Sequence, residues 1–202
     1  MAAKINTNRA EIAVGDALIV VDVQKDFLPG GTLAVPAGDD VIEPLNRAIE
    51  AFERARLPVY YSRDWHPANH CSFKAQGGPW PPHCIAKSEG AAFAPKLRVA
   101  MDATVISKAT TAEVDAYSAF QGTTLVAQLI AGDVRRVFIG GLATDYCVRA
   151  TVLDARKHGF EVKLLGDAVR AVEVEAGDGR RALEEMLQQG AHLIASPTIT
   201  GW

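Results

Sequence analysis

Cysteine is scarce: Cys71, Cys84 and Cys147 are the only three in 202 residues. So few, and an odd number, cannot supply the disulfide framework of a small secreted protein. The thiols are left for metal binding, catalysis or plain burial in a reducing compartment. Basic charge is also short. Lysine and arginine total 21 against 24 aspartates and glutamates, a net charge of −3, which offers no basic surface to phosphates and argues against nucleic acid as a partner. Long apolar runs are missing: the first, residues 17–21, stops at Asp22, and residues 1–16 hold no apolar leader stretch. The sequence therefore predicts a cytoplasmic protein with a small-molecule partner and no membrane association, and leaves homo-oligomer formation open. VQKDFLPGG, not G-x-G-x-x-G, follows the first apolar run, so a dinucleotide-dependent oxidoreductase is not expected.

What is present is the composition of an ordinary globular protein, 49% apolar and 22% charged. Its length suits one domain spanning residues 1–202. Apolar runs of strand length alternate with segments of helical period, the pattern of repeated βα units around a parallel sheet. Six such runs are legible: ALIVVDV (17–23), VYYSRDW (59–65), ATVISK (103–108), RRVFIGGL (135–142), FEVKLLGDA (160–168) and HLIA (192–195). The first is nearly all apolar, as a central strand buried on both faces must be. Between them, Asp39 or Asp40 is expected to cap a helix through Phe52, residues 125–131 form a helix ending at Gly132, Thr144 caps a helix over 145–158, and residues 180–189 form the last. Residues 65–95 carry Pro, Gly, His and aromatics without a period, and a loop of that length is usually functional.

In open α/β sheets ligands bind beyond the carboxyl ends of the strands, where strand order reverses. Asp22 ends strand one, Asp64 strand two and Lys108 strand three, and Cys147 follows strand four. With strand order 3-2-1-4-5-6, Asp22 and Cys147 face each other at the switch point. Taken singly, a Cys is usually core filler, a Lys a solvated surface group and a strand-end Asp a turn former. Placed together they read as a nucleophile with its acid/base. Cys147 near a helix N-terminus and close to Lys108 is expected to have a depressed pKa, and the GGLATD turn aims backbone amides at a developing oxyanion.

A second cluster has metal-ligand chemistry: Asp64-x-His66, then His70, Cys71, His83 and Cys84. Residues i and i+2 of an extended strand point the same way, so Asp64 and His66 can hold one cation, with His83 returning from the loop. The alternative is a closed structural zinc using Cys71 and Cys84. The lack of a short CxxC knuckle favours the open Asp/His site, which suits zinc, iron or manganese.

VDVQKDF (21–27), GGTLAVP (30–36), DWHPANHCSF (64–73), WPPHC (80–84), DAYSAF (115–120) and GLATDYCV (141–148) resemble nicotinamidases, members of the isochorismatase-like cysteine hydrolases. The resemblance covers most of the chain in order. It implies a Rossmann-like three-layer α/β sandwich with a six-stranded parallel sheet. It also implies hydrolysis of nicotinamide to nicotinate and ammonia through a cysteine thioester, in NAD salvage, with pyrazinamide as a further substrate. A related cysteine amidohydrolase acting on another small amide or a carbamoyl substrate is the alternative, the carbamoyl enzyme being metal-free. By resemblance Asp22, Lys108 and Cys147 match the catalytic triad, and Asp64, His66 and His83 the ligands of one divalent metal ion, zinc before iron or manganese. His70 matches a position that ligates in only some members. The amides of Ala143 and Cys147 match the oxyanion hole, a cis peptide is expected before Thr144, and Phe27, Leu33, Trp80, Tyr117 and Tyr146 match the ring pocket. The chain departs from the pattern in two places: Ala109 stands where many members have glycine, and the loop between Phe73 and Trp80 is shorter than in some bacterial relatives.

Overall fold

The computed structural model describes residues 10–100 and 103–200, so most of the stretch read for a leader, residues 1–9, lies outside them. Six strands form the central sheet: β1 (Asp16–Val21), β2 (Val59–Asp64), β3 (Thr104–Lys108), β4 (Arg136–Leu142), β5 (Glu161–Arg170) and β6 (His192–Ile194). All pair in parallel, in the order β3-β2-β1-β4-β5-β6, which is the expected order. Every residue of β1 is buried, and its side chains alternate between two cores as the period of a strand requires. Leu18 and Val20 pack with Phe138 and with Leu45, Ile49 and Phe52 of helix α1 (Ile42–Arg54). Ala17, Ile19 and Val21 share the other core with residues of α2 (Leu125–Ala131), α3 (Arg149–Lys157) and α4 (Asp178–Gln188). The result is a three-layer α/β sandwich with α1 on one face and three helices on the other. No helix among the described residues is long and apolar enough to cross a membrane.

Two helix starts differ from expectation. Asp39 and Asp40 lie in a 3-10 turn, Gly38–Val41, that runs directly into α1, and no side chain caps that helix. Val41 is already helical, so there is no extended residue from which a side chain could fold back onto the first amides. Asp40 faces Arg170 instead, at 3.2 Å. Nor does Thr144 cap a helix: the extended residue is Ala143, and Thr144–Val148 forms a wide π-helical turn before α3 begins at Arg149. The cis peptide lies between Leu142 and Ala143, one bond earlier than expected.

The end of β4 is pressed against β1. At Gly141, where φ is +132°, any Cβ would collide with the Val21 backbone, so only glycine lets the two strands close here. This contact sets the turn that carries Cys147 beside Asp22.

Candidate active site and metal centre

Asp64 and Lys108 are register partners across β2 and β3. Lys108 Nζ donates to the Asp64 carboxylate and, at 3.0 Å, to the Ala116 carbonyl, while Asp22 Oδ2 lies 3.0 Å away as its ion-pair partner. The same Nζ is 3.5 Å from Cys147 Sγ. Asp22 and Asp64 each bring a carboxylate oxygen into one group with Sγ, all within 4.8 Å of one another. Asp22 sits at φ +48°, a region aspartate tolerates better than most residues. Ser62 Oγ donates to its Oδ1 at 2.6 Å, which leaves Oδ2 for the lysine and the thiol. The three residues expected to form the triad are thus brought together, with no solvent exposure at Asp22 and 1% at Lys108.

Burial dominates their proton affinities. It pushes Asp22 above the usual carboxylate range, with the Asp64 charge adding and Lys108 opposing. Cys147 departs from expectation: its thiol is pushed well up, not down. Burial is the largest cause; Lys108 opposes it, and the charges of Asp22 and Asp64 add to it. Burial also disfavours the charged forms of Asp64 and Lys108. Their mutual attraction, with His66 beside Asp64 and Asp22 beside Lys108, more than offsets this and holds Asp64 below and Lys108 above their ordinary values.

Beside this cluster lies the second one. Asp64, His66 and His83, all buried, offer ligand atoms within 4.8 Å of one another. His66 Nδ1–H donates to the Ala109 carbonyl at 3.2 Å and His83 Nδ1–H to the Pro81 carbonyl at 2.8 Å, so each ring keeps its Nε2 lone pair. This is the outer-shell arrangement that orients metal-binding histidines. Burial lowers the pKa of His83 and keeps its ring neutral. His66 Nε2 is buried without a hydrogen-bond partner, 3.6 Å from Asp64 Oδ2. An orphaned imidazole nitrogen beside a carboxylate and a second neutral imidazole fits a divalent cation with open coordination positions.

His70 is not gathered with these three. Its Nε2–H donates to the Val114 carbonyl at 3.2 Å and its Nδ1 meets Ser72 Oγ at 2.7 Å, while its ring stacks on His66 at 4.2 Å. Cys71 and Cys84 join no ligand group among the described residues, and burial drives the Cys84 thiol far above its ordinary value.

One cavity joins the two clusters: Cys147 and Ala143 lie on its wall with Asp64, His66 and His83. Phe27, Leu33, Trp80, Tyr117 and Tyr146 all line it, and so do Val35, Asp115 and Val172, which the sequence did not single out. Trp80 Nε1–H donates to Tyr117 Oη at 3.0 Å and packs edge-on against Tyr146, with 5.1 Å between ring centroids. Sequence reasoning also missed the residues that hold the site. Gln24 donates to the carbonyls of Asp64 and Ala91 at 2.8 and 3.0 Å and accepts from the Asp64 amide at 2.8 Å. Asp26 accepts the Cys84 amide at 2.7 Å and so pins the loop beside His83. Both stand in the VDVQKDF motif, and their partners lie 40 to 67 residues away for Gln24 and 58 for Asp26.

Residues 16–198 match the Isochorismatase domain. The chain belongs to that family. It is similar to the nicotinamidase of Escherichia coli (strain K12), 39% identical, over 92% of this chain and 96% of that one. Among solved structures it is similar to the pyrazinamidase of Pyrococcus horikoshii in complex with zinc, with 50% identity, a TM-score of 0.86 and coverage of 90% of this chain and 99% of that one. It is also similar to a protein of L. infantum solved in complex with nicotinate, with 36% identity, a TM-score of 0.88 and coverage of 98% and 100%.

Proposed function

We propose that the chain is a single hydrolase domain that cleaves nicotinamide to nicotinate and ammonia through a thioester on Cys147, with pyrazinamide as a second substrate. The observation that carries this reading is one cavity that holds the Cys147 thiol beside Asp22 and Lys108 and, on the same wall, the unpartnered Nε2 of His66 beside Asp64 and His83. A metal-free carbamoyl hydrolase would have no use for that nitrogen. The similarity to a nicotinamidase, and to structures holding zinc and nicotinate, points the same way.

In this account Asp22 takes the proton of the Cys147 thiol as Sγ attacks the carboxamide carbon. The amides of Ala143 and Cys147 receive the oxyanion; the Ala143 carbonyl accepts from Tyr146 and Val148, the amides on either side of that of Cys147. Collapse breaks the C–N bond, and Asp22 returns the proton to the departing ammonia. Asp22 then draws a proton from water, whose oxygen attacks the thioester; nicotinate leaves and Cys147 regains its proton. Lys108 balances the charge of Asp22 throughout. The aromatic side chains Phe27, Trp80, Tyr117 and Tyr146, with Leu33, enclose the ring.

Asp64, His66 and His83 are the proposed ligands, and a divalent ion there would supply a Lewis-acid anchor for the ring nitrogen. Zinc suits the mixed carboxylate and imidazole donors and stands above iron and manganese in affinity. The three cysteines are free thiols, which suits a cytoplasmic enzyme recycling nicotinamide for NAD. The test is ammonia release from nicotinamide by purified protein, before chelation, after chelation and after zinc is restored. Release that is lost and then regained is expected; undiminished release from metal-free protein would overturn the ligand assignment, and no release from zinc-loaded protein would overturn the substrate.

A further inference from the structure

The segment between β5 and α4, residues 171–177, touches the cavity through Val172. It is tied directly to the turn that carries the nucleophile. Asp145, two residues before Cys147, accepts the Val172 amide on Oδ1 and the Glu173 amide on Oδ2, each at 2.9 Å. Two consecutive amides therefore meet on one carboxylate. Successive N–H groups that converge in this way form an anion-binding nest, here filled by a side chain of the same protein, and Glu173 takes a left-handed conformation, φ +56°. That conformation is unfavourable for a residue other than glycine, so it must be held in place. Glu173 holds the other side: its carboxylate accepts the amides of Gly177 at 2.6 Å and Gly179 at 3.0 Å, at the start of α4. A side chain at Gly179 would come within 2.6 Å of the Ala171 Cβ, so helix and segment are pressed together.

We infer that Asp145 is a positioning residue which, by clamping the backbone of residues 172–173, fixes Val172 as the wall of the substrate pocket and thereby sets which ring substituents are admitted. The thiol and this wall then move as one unit, because they hang from the same turn. Val172 packs against the core cluster that includes Phe27, Val35 and Ala143. Released, it would widen the cavity on its apolar side without disturbing Asp22, Lys108 or the metal-binding group. The inference rests on the nicotinamide reading for its kinetic test but not for its structural one.

The experiment compares wild type, Asp145→Asn, Val172→Ala and the double variant, all zinc-loaded. Asparagine offers one acceptor and one donor group where the nest needs two acceptors. Hydrogen exchange at the amides of residues 172 and 173 is therefore expected to accelerate at least about tenfold in Asp145→Asn, with protection kept in β1 and β4. KM for nicotinamide is expected to rise roughly tenfold with kcat changed by less than about twofold, and ring-methylated nicotinamides to gain relative to nicotinamide. Val172→Ala should give the same selectivity change, and the double variant no more than either single one, since both act through one wall. Wild-type exchange rates at residues 172 and 173 in Asp145→Asn would overturn the inference, as would a loss confined to kcat or effects that multiply in the double variant. If Asp145→Asn does not fold, Val172→Ala decides through selectivity alone: unchanged preference among ring-methylated amides overturns the inference. If wild type releases no ammonia from nicotinamide, the substrate reading falls and the exchange measurement still decides the clamp.

Discussion

Cys147 and Asp22 are both shifted toward their protonated forms by burial, so in the proposed mechanism the nucleophile rests as a thiol and its base is a carboxylate with raised proton affinity. In that mechanism the proton moves from the thiol to Asp22 as the sulfur attacks a carbonyl held in place to receive its electrons. The positions of these residues at strand ends were legible in the sequence, because a parallel sheet delivers strand termini to one edge. The direction of the thiol shift was not: a nearby helix start and a lysine can be read from sequence, but burial beside two carboxylates cannot. Ala109 shows the reverse case. Its departure from the family pattern was visible, and the structure gives the reason it matters: φ is +50°, a conformation that costs an L-residue about 1–2 kcal/mol. Ala109→Gly is therefore expected to leave stability unchanged or raise it by up to about 1 kcal/mol, after allowance for the greater freedom of glycine in the unfolded chain. Urea denaturation checks this, and a clear loss of stability would contradict the strain.

The strands were readable as elements because apolar runs and helical periods alternate everywhere but in the long loop between β2 and β3, and their order follows from the doubly wound fold class that this alternation points to. The π-helical turn at Thr144–Val148 was not readable, since GLATDYCV reads equally well as a capped α-helix. Long-range polar ties such as Gln24 to Asp64, Asp26 to Cys84 and Asp145 to Val172 leave no periodic trace at all. Tyr61 is another such tie, joining β2 to the end of the long loop: its hydroxyl donates to the Arg98 carbonyl at 3.0 Å. Burial, with a contribution from Glu53 and against that of Arg98, pushes its pKa from 10.0 up to about 12. Above pH 10 the unfolded chain loses this proton while the folded chain keeps it, so stability from Tyr61 is present below that pH and declines as pH rises toward 12. Tyr61→Phe is expected to flatten that alkaline decline, measured by denaturation at several pH values; an unchanged slope would place its cause elsewhere.

At the scale of the molecule, the sheet edge assembles two half-sites from different parts of the chain. β1, β3 and the turn after β4 bring the proposed thiol chemistry, and β2 with the long loop brings the proposed metal ligands, Asp64 standing in both groups. His66→Ala is expected to reduce bound zinc from about one per chain to near zero and to remove activity with it, because it deletes the one ligand nitrogen whose burial has no other use. Cys71→Ser is expected to retain both, and metal analysis of the two variants separates the open site from a thiolate one. The most direct test of the central claim is to quench the zinc-loaded protein during nicotinamide turnover and determine the mass of the peptide that contains Cys147. The account predicts a nicotinoyl group on that peptide, absent in Cys147→Ala, which should also lose turnover by about a thousandfold or more. Steady ammonia release with no adduct on Cys147, or turnover that survives Cys147→Ala, would contradict it.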